Sequence, residues 1–342
     1  MNFQSDNTAP VSPLVMQALL NANETPMPAY GQDPVTKHAR QRFIEIFERD
    51  LDVHFVSTGT AANALALTTM TPPFGAIYCH PDSHINVDEC SAPEAATSGA
   101  KLIAIPGEHG KITPEALRRQ IERDLSMRPH TSQPAVISLS QCTESGTLYQ
   151  KEELFEICKL AKEFGLLVHV DGARFANALV ALGESPAAMT WQQGVDVLTL
   201  GGTKNGALAA EAVVFFNKDL AKNADYIQKR QGQLFSKMRY FSCQFLALFN
   251  DDLWLKNALH ANHMATRLVE VLQQERGVSI QHPVEANEIF VHMPDSITTY
   301  LRDHGVLFYD WGMPGQRHYR FVCSSQTHIS EIQEVERLCR YV

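Results

Sequence analysis

No stretch of this sequence approaches the roughly 20 consecutive apolar residues of a membrane-spanning helix, so no membrane partner is expected. The opening Met1-Asn2-Phe3-Gln4-Ser5-Asp6 has neither the basic nor the apolar region of a signal peptide. A surplus of positive charge is also missing. With 38 acidic and 29 basic residues the net charge is −9, which argues against a nucleic-acid partner but leaves room for a local pocket that takes one small anion. The seven cysteines (79, 90, 142, 158, 243, 323, 339) are odd in number and never spaced C-x-x-C. That disfavours a disulfide framework or a cysteine zinc site and fits a reducing, cytoplasmic compartment. The phosphate loop G-x-x-x-x-G-K-[ST] and the dinucleotide fingerprint G-x-G-x-x-G are absent, as are internal repeats and low-complexity tracts. What remains is a globular composition, 44% hydrophobic and 20% charged, over 342 residues, enough for a large domain and a smaller one.

The first 30 residues, polar and punctuated by Pro10, Pro13, Pro26 and Pro28, read as an arm with one short helix. Asp33-Pro34 opens a helix, with Asp33 as N-cap, Pro34 at the first position, and Val35, Ala39, Phe43 and Ile46 at helical spacing. From residue 53, short apolar strands (53–56, 76–79, 102–105, 135–139, 166–170 and 195–200) alternate with helices. One helix is capped by Thr113 and carries Leu117, Ile121 and Leu125 on one face; another spans Glu152 to Phe164 and stops at Gly165. This alternation predicts an α/β fold with a mainly parallel sheet between helices. Past residue 217 a long helical stretch leads into a C-terminal α+β region with strands at 288–293, 306–309 and 319–323. The expected domains are an arm (1–30), a large domain (31–240) and a small domain (241–342).

In open α/β sheets ligands bind beyond the carboxyl ends of the strands, and three distinctive groups fall at such ends. Ser57-Thr58-Gly59-Thr60 leads into a helix, which makes either a phosphate cup or an ordinary N-cap turn. Asp171-Gly172-Ala173-Arg174 ends a strand read as wholly apolar. A carboxylate there needs a cationic partner, either a ligand's protonated ring nitrogen or simply Arg174. Gly201-Gly202-Thr203-Lys204-Asn205-Gly206 sets one lysine among small residues. Four of residues 201–207 are glycine or alanine, so the backbone is expected to come close to a planar ligand. Burial there would lower the lysine's pKa and leave a nucleophilic amine.

Taken together and in order, these segments resemble the threonine aldolase and β-eliminating lyase family, fold type I among enzymes that use pyridoxal 5′-phosphate (PLP). The resemblance spans nearly the whole chain and also takes in Ser5-Asp6-Asn7-Thr8, Tyr30-Gly31-Gln32-Asp33-Pro34, Asp82-Ser83-His84 with Glu89, and Arg320-Phe321-Val322. It implies a large PLP-binding domain and a small C-terminal one. PLP would be bound covalently through Lys204 and held by Thr58, Gly59, Thr60, His84, Asp171, Arg174 and Thr203. His84 would stack on the cofactor ring and Asp171 keep the ring nitrogen protonated. Arg174, Arg320 and Ser5 would grip the carboxylate of a small amino-acid substrate. No metal is implied, and the spacings His80/His84 and His260/His263 do not complete a ligand set.

The implied reaction is cleavage of threonine, allo-threonine or a related β-hydroxy-α-amino acid to glycine and an aldehyde. The acceptor of the β-hydroxyl proton stays open between His84 and a water. The resemblance further implies a homodimer or homotetramer with sites at the subunit interface, approached by Lys229-Arg230 and Lys237-Met238-Arg239 of a neighbour. There are departures: Asn7, and Gln141-Cys142-Thr143-Glu144 in place of an E-N-T-H-N-like segment. The second puts substrate preference in question. Three other readings share the residues: a PLP enzyme with another outcome, such as β-elimination, racemisation or transamination; a non-catalytic α/β binding protein; and a cofactor-free lysine aldolase. The last would need the eight βα units of a barrel, which cannot be counted here.

Overall fold

The computed structural model describes residues 1–341. The central sheet has seven strands: β1 (Asp52–Val56), β2 (Gly75–Cys79), β3 (Lys101–Ala104), β4 (Gln133–Ser140), β5 (Leu167–Gly172), β6 (Val197–Gly201) and β7 (Glu211–Phe215). Their order is β1-β7-β6-β5-β4-β2-β3. Only β7 runs antiparallel to its neighbours, β1 and β6. Strand β7 follows the lysine segment so closely that the alternating pattern does not announce it. Its burial on both faces is complete nonetheless.

Helices cover both faces of the sheet. The helix Pro34–Phe47 starts as expected: Asp33 accepts the Thr36 N–H at 2.7 Å and Pro34 needs no hydrogen bond at the first position. Its buried stripe is Thr36, Ala39, Phe43 and Phe47, shifted from the Val35–Ile46 register expected, because Phe43 and Phe47 carry the larger apolar surface into the cluster with Phe55 and Phe245. Gly165 ends the helix Lys151–Phe164 in the left-handed conformation. Leu125 points to solvent, unlike Leu117 and Ile121.

Strand β5 is not wholly apolar. His169 is fully buried in it. Its Nδ1 meets Ser138 Oγ on β4 at 2.9 Å and its Nε2 meets Thr199 Oγ1 on β6 at 3.1 Å, so both ring nitrogens are satisfied across the sheet. Burial pushes its pKa down to about 4, so the ring is neutral.

A four-stranded antiparallel sheet forms the second layer, from β8 (Ser279–Ile280), β9 (Glu288–His292), β10 (Tyr309–Trp311) and β11 (His318–Val322), in the order β10-β11-β9-β8. The first residues of the chain belong to this layer rather than to a separate arm. Phe3 is fully buried in its core; the Phe3 N–H donates to Leu307 O, and Val322 N donates to Phe3 O, both at 2.8 Å. The sequence expectation of a strand at 306–309 is met only by a bridge between Asn2 and Leu307, with the strand itself beginning at Tyr309. The helix Leu253–Leu272 joins the two cores. Trp254 and Ala258 pack in the large one; Met264, Ala265, Leu268 and Leu272 pack in the small one.

Two glycines of the lysine segment stand in tight backbone packing. A Cβ on Gly201 would stand 2.5 Å from Ala173 O, and one on Gly202 would stand 2.6 Å from Ala210 O. Gly201→Ala is therefore expected to cost about 1–3 kcal/mol by forcing β6 away from the turn after β5. The expected reading is a lower urea midpoint with an unchanged slope. An unchanged midpoint would show that the backbone there yields freely.

Candidate active site

Three strands of the sheet, β1, β5 and β6, deliver the three expected groups to one cavity of about 320 Å³. It is lined by Thr58, Gly59, Thr60, His84, Asp171, Arg174, Thr203 and Lys204, which are all the residues that the sequence assigned to cofactor binding.

After β1, the helix Gly59–Met70 begins with Thr58 as N-cap, its Oγ1 accepting the Ala61 N–H at 3.1 Å. The N-cap reading holds, and the cap leaves the N–H groups of Gly59 and Thr60 without an acceptor among the described residues. Gly59 has open space where a Cβ would stand. Two free donors at the positive end of a twelve-residue helix favour an anion.

At the end of β5, Asp171 does not pair with Arg174. Its Oδ1 accepts the Ala173 N–H at 3.0 Å, and its Oδ2 accepts Asn63 Nδ2 at 2.7 Å. Asn63 also donates to Glu89 Oε1 at 2.8 Å, and the same oxygen accepts His84 Nδ1–H at 2.8 Å. One chain of hydrogen bonds therefore ties the His84 ring to the Asp171 carboxylate. The bond to Glu89 raises the pKa of His84 above its ordinary value. Neither Asn63 nor Glu89 is among the site residues that the sequence assigns. Their burial, at 1% and 4% exposed, is what makes them fix the geometry of the other two.

Lys204 sits in a single 3₁₀ turn after β6, and its amine has no hydrogen-bond partner among the described residues. Its pKa is lowered, first by the positive charge of Arg174 and then by burial, with Asp6, Glu288 and Asp171 pulling the other way. The sequence reading had named burial alone. Arg174 itself is bound by Asp6, whose Oδ2 lies 2.9 Å from Nε and 2.6 Å from Nη2, and by Glu288 Oε2 at 3.0 Å from Nη1.

The carboxylate clamp expected of Arg174, Arg320 and Ser5 is already engaged within the chain. Arg320 donates Nη2 to Gln4 O at 3.2 Å, lies 3.8 Å from Glu288 and stacks 4.6 Å from the Trp311 ring centroid, while its Nε has no partner. Ser5 lines neither this cavity nor the next; its hydroxyl accepts the Asn7 N–H at 3.2 Å, and Asn7 takes the place on the cavity wall. Arg239 is buried and donates Nε to Ala22 O at 2.9 Å.

A second cavity, of about 490 Å³, adjoins the first and is lined by Arg320, Glu288, Trp311, His80, His109 and His282 among others. Four residues line both: His84, Glu144, Arg174 and Lys204. Two acids absent from the sequence's site assignment line the first cavity: Glu144, which is partly buried, and Glu211, which is buried. Burial pushes each up to about 7, against hydrogen bonds from Ser140 and the His84 N–H in the first case and from Thr203 in the second.

The chain matches the family model for β-eliminating lyases over residues 2–296. It is 41% identical to a low specificity L-threonine aldolase of Pseudomonas aeruginosa, over 99% of this chain and 97% of that protein. It is 40% identical to a low specificity L-threonine aldolase of another Pseudomonas strain, over 97% and 95%. Among solved structures it superposes on a threonine aldolase of Leishmania major with a TM-score of 0.93 and 28% identity, covering 99% of this chain and 98% of the other.

Proposed function

The chain belongs to the β-eliminating lyase family, and on that premise we infer that it is a PLP-dependent carbon–carbon lyase of fold type I, cleaving L-threonine, L-allo-threonine or related β-hydroxy-α-amino acids to glycine and an aldehyde. The observation that carries this reading is the meeting, on one cavity wall, of an unpartnered lysine amine, a buried carboxylate and two free helix N–H groups. That donor set fits PLP at its three distinguishing points: aldehyde, ring nitrogen and phosphate. Bound PLP would supply an electrophilic carbon for an amine and a sink for the electron pair released at Cα.

The chain's own residues divide the remaining work. Gly59 and Thr60 N–H groups, with the Thr58 and Thr60 hydroxyls, hold the phosphate. Asp171, kept in place by Asn63 and Ala173, holds the proton on the ring nitrogen. His84, tethered by Glu89, supports the ring face. Lys204 provides the amine, held toward its uncharged form by Arg174. Arg174 and Arg320 orient the substrate's carboxylate at the junction of the cavities, where it shares them with Asp6 and Glu288.

The protein works as a homodimer or homotetramer in the cytoplasm, with sites at the subunit interface. Exposed Leu14, Met16 and Leu20 on the helix Pro13–Asn21, and exposed Leu208 just past Lys204, support that assembly. Product analysis tests the reaction. Threonine, allo-threonine and phenylserine should each yield glycine and an aldehyde in equal amounts. Threonine converted instead to a 2-oxo acid and ammonia would indicate β-elimination and overturn the aldolase reading.

A further inference from the structure

The site described so far holds no assigned acceptor for the β-hydroxyl proton. Four side chains stand where the cofactor cavity meets the substrate cavity, and three have roles: Lys204, Arg174 and His84. The fourth is Glu144, the only carboxylate among the residues that line both cavities. Its position follows from the sheet, since it lies four residues past the carboxyl end of β4, beside the end of β5 that carries Asp171. One oxygen is fixed: Oε1 accepts Ser140 Oγ at 2.6 Å and the His84 N–H at 2.8 Å. The other oxygen, Oε2, is buried and has no hydrogen-bond partner among the described residues. A buried acceptor left unpaired beside an open cavity is costly unless something else supplies the hydrogen bond. His84 has the ring face to support, and its bond to Glu89 raises its pKa, which favours the ring protonated on both nitrogens.

We propose that Glu144 is the general base of the cleavage, a catalytic residue whose free oxygen takes the proton of the substrate's β-hydroxyl. This rests on the aldolase reading. In the step, the O–H bond of the β-hydroxyl breaks and its proton passes to Glu144 Oε2. The O–H electron pair becomes the second bond of the aldehyde C=O as the Cα–Cβ bond breaks, and that bond's pair stays with Cα. In the synthetic direction Glu144 returns the proton to the new hydroxyl.

Burial tunes this carboxyl to about 7, close to where an acid–base catalyst exchanges a proton most readily in both directions. The groups facing it are Ser140 and Tyr149 from its own loop and strand, Cys79 from β2, His84 from the following turn, Asp171 from β5, and Lys204 with Arg174 across the cavity. Burial raises Tyr149 and Cys79, the latter to about 11, so neither titrates near Glu144. His84 is the neighbour that could titrate in the same range.

The test compares Glu144→Gln with wild type on phenylserine cleavage and on deuterium exchange at Cα of glycine, which needs no β-hydroxyl deprotonation. Cleavage should fall by about 10²–10⁴-fold, the usual contribution of a general base, while exchange and bound PLP persist. Two carboxyls, Glu144 and Glu211, are expected to give protonated-carboxyl infrared bands that titrate near 7 in wild type, and the variant should lose one of the two, with or without cofactor. Ser140→Ala provides a readout that does not depend on a charge change. Loss of that hydrogen bond raises the Glu144 pKa, so the acid limb of the cleavage profile should move to higher pH, whereas a His84→Asn variant should keep the limb.

A Glu144→Gln enzyme that cleaves within about twofold of wild type, or one whose exchange falls in step with cleavage, would overturn the assignment. An acid limb unmoved by Ser140→Ala would do the same. Failure of the aldolase reading would look different, since wild-type protein itself would then release no aldehyde.

Discussion

Lys204→Ala should abolish turnover and leave the cofactor removable by gel filtration. No other lysine lines either cavity, so nothing can replace the amine. Lys204→Arg is the informative companion: it keeps the positive charge beside Asp171 and Asp6 but presents a guanidinium that does not lose its proton near neutral pH. It should be equally inactive while binding PLP non-covalently through the helix N-terminus after β1. The measurement is aldehyde release together with cofactor content after desalting. A Lys204→Ala protein that still cleaves threonine at a wild-type rate would remove the chemistry from this lysine.

The next largest effect is expected at Asp171. Asp171→Asn keeps the shape of the side chain and can keep the bond to Asn63 by turning its amide oxygen toward it. What it loses is the negative charge opposite the ring nitrogen. Removing one preorganised electrostatic group commonly costs about 10²–10³ in kcat, and a loss on that scale is expected here with the cofactor retained. A second signature follows from the sign of the coupling. Asp171 is among the carboxylates that raise the Lys204 pKa, so the neutral amide should lower it further. The pH at which cofactor attachment is half-complete should drop accordingly. An unchanged kcat in Asp171→Asn would contradict the role given to this carboxylate.

Much of the site was legible in the chain because its chemistry sits on strand ends. The turn at Thr58–Thr60, Asp171 and Lys204 each follow a short apolar run, and apolar runs are what a two-face-buried sheet demands. The substrate side was less legible, because its partners come from distant segments. Nothing local shows that Asp6 and Glu288 bind Arg174, or that Phe3 belongs to the core beneath the four-stranded sheet, since those contacts close over some 168, 114 and 318 residues of sequence by subtraction of the residue numbers. The same holds for Glu144 and Glu211. Glu144 stood out only as a departure from a familiar segment, and its unpaired oxygen is a property of the packed site.

The glycines beside Lys204 mark a related limit. Their sequence pattern announces close approach but not to what, and the answer is the backbone at Ala173 and Ala210. His169 shows a third. A histidine in a strand reads as a break in an apolar pattern, yet it is accommodated because the register sets Ser138 directly opposite it and brings Thr199 within reach.

The central claim is that the Lys204 amine reaches PLP in the cavity that also holds Asp171. Borohydride reduction of the purified protein, followed by peptide mass mapping, tests it most directly. The expected result is a pyridoxyl label on the peptide that contains Lys204 and on no other. A label on a different lysine, such as Lys229 or Lys237, or no label on protein that still cleaves threonine, would contradict it.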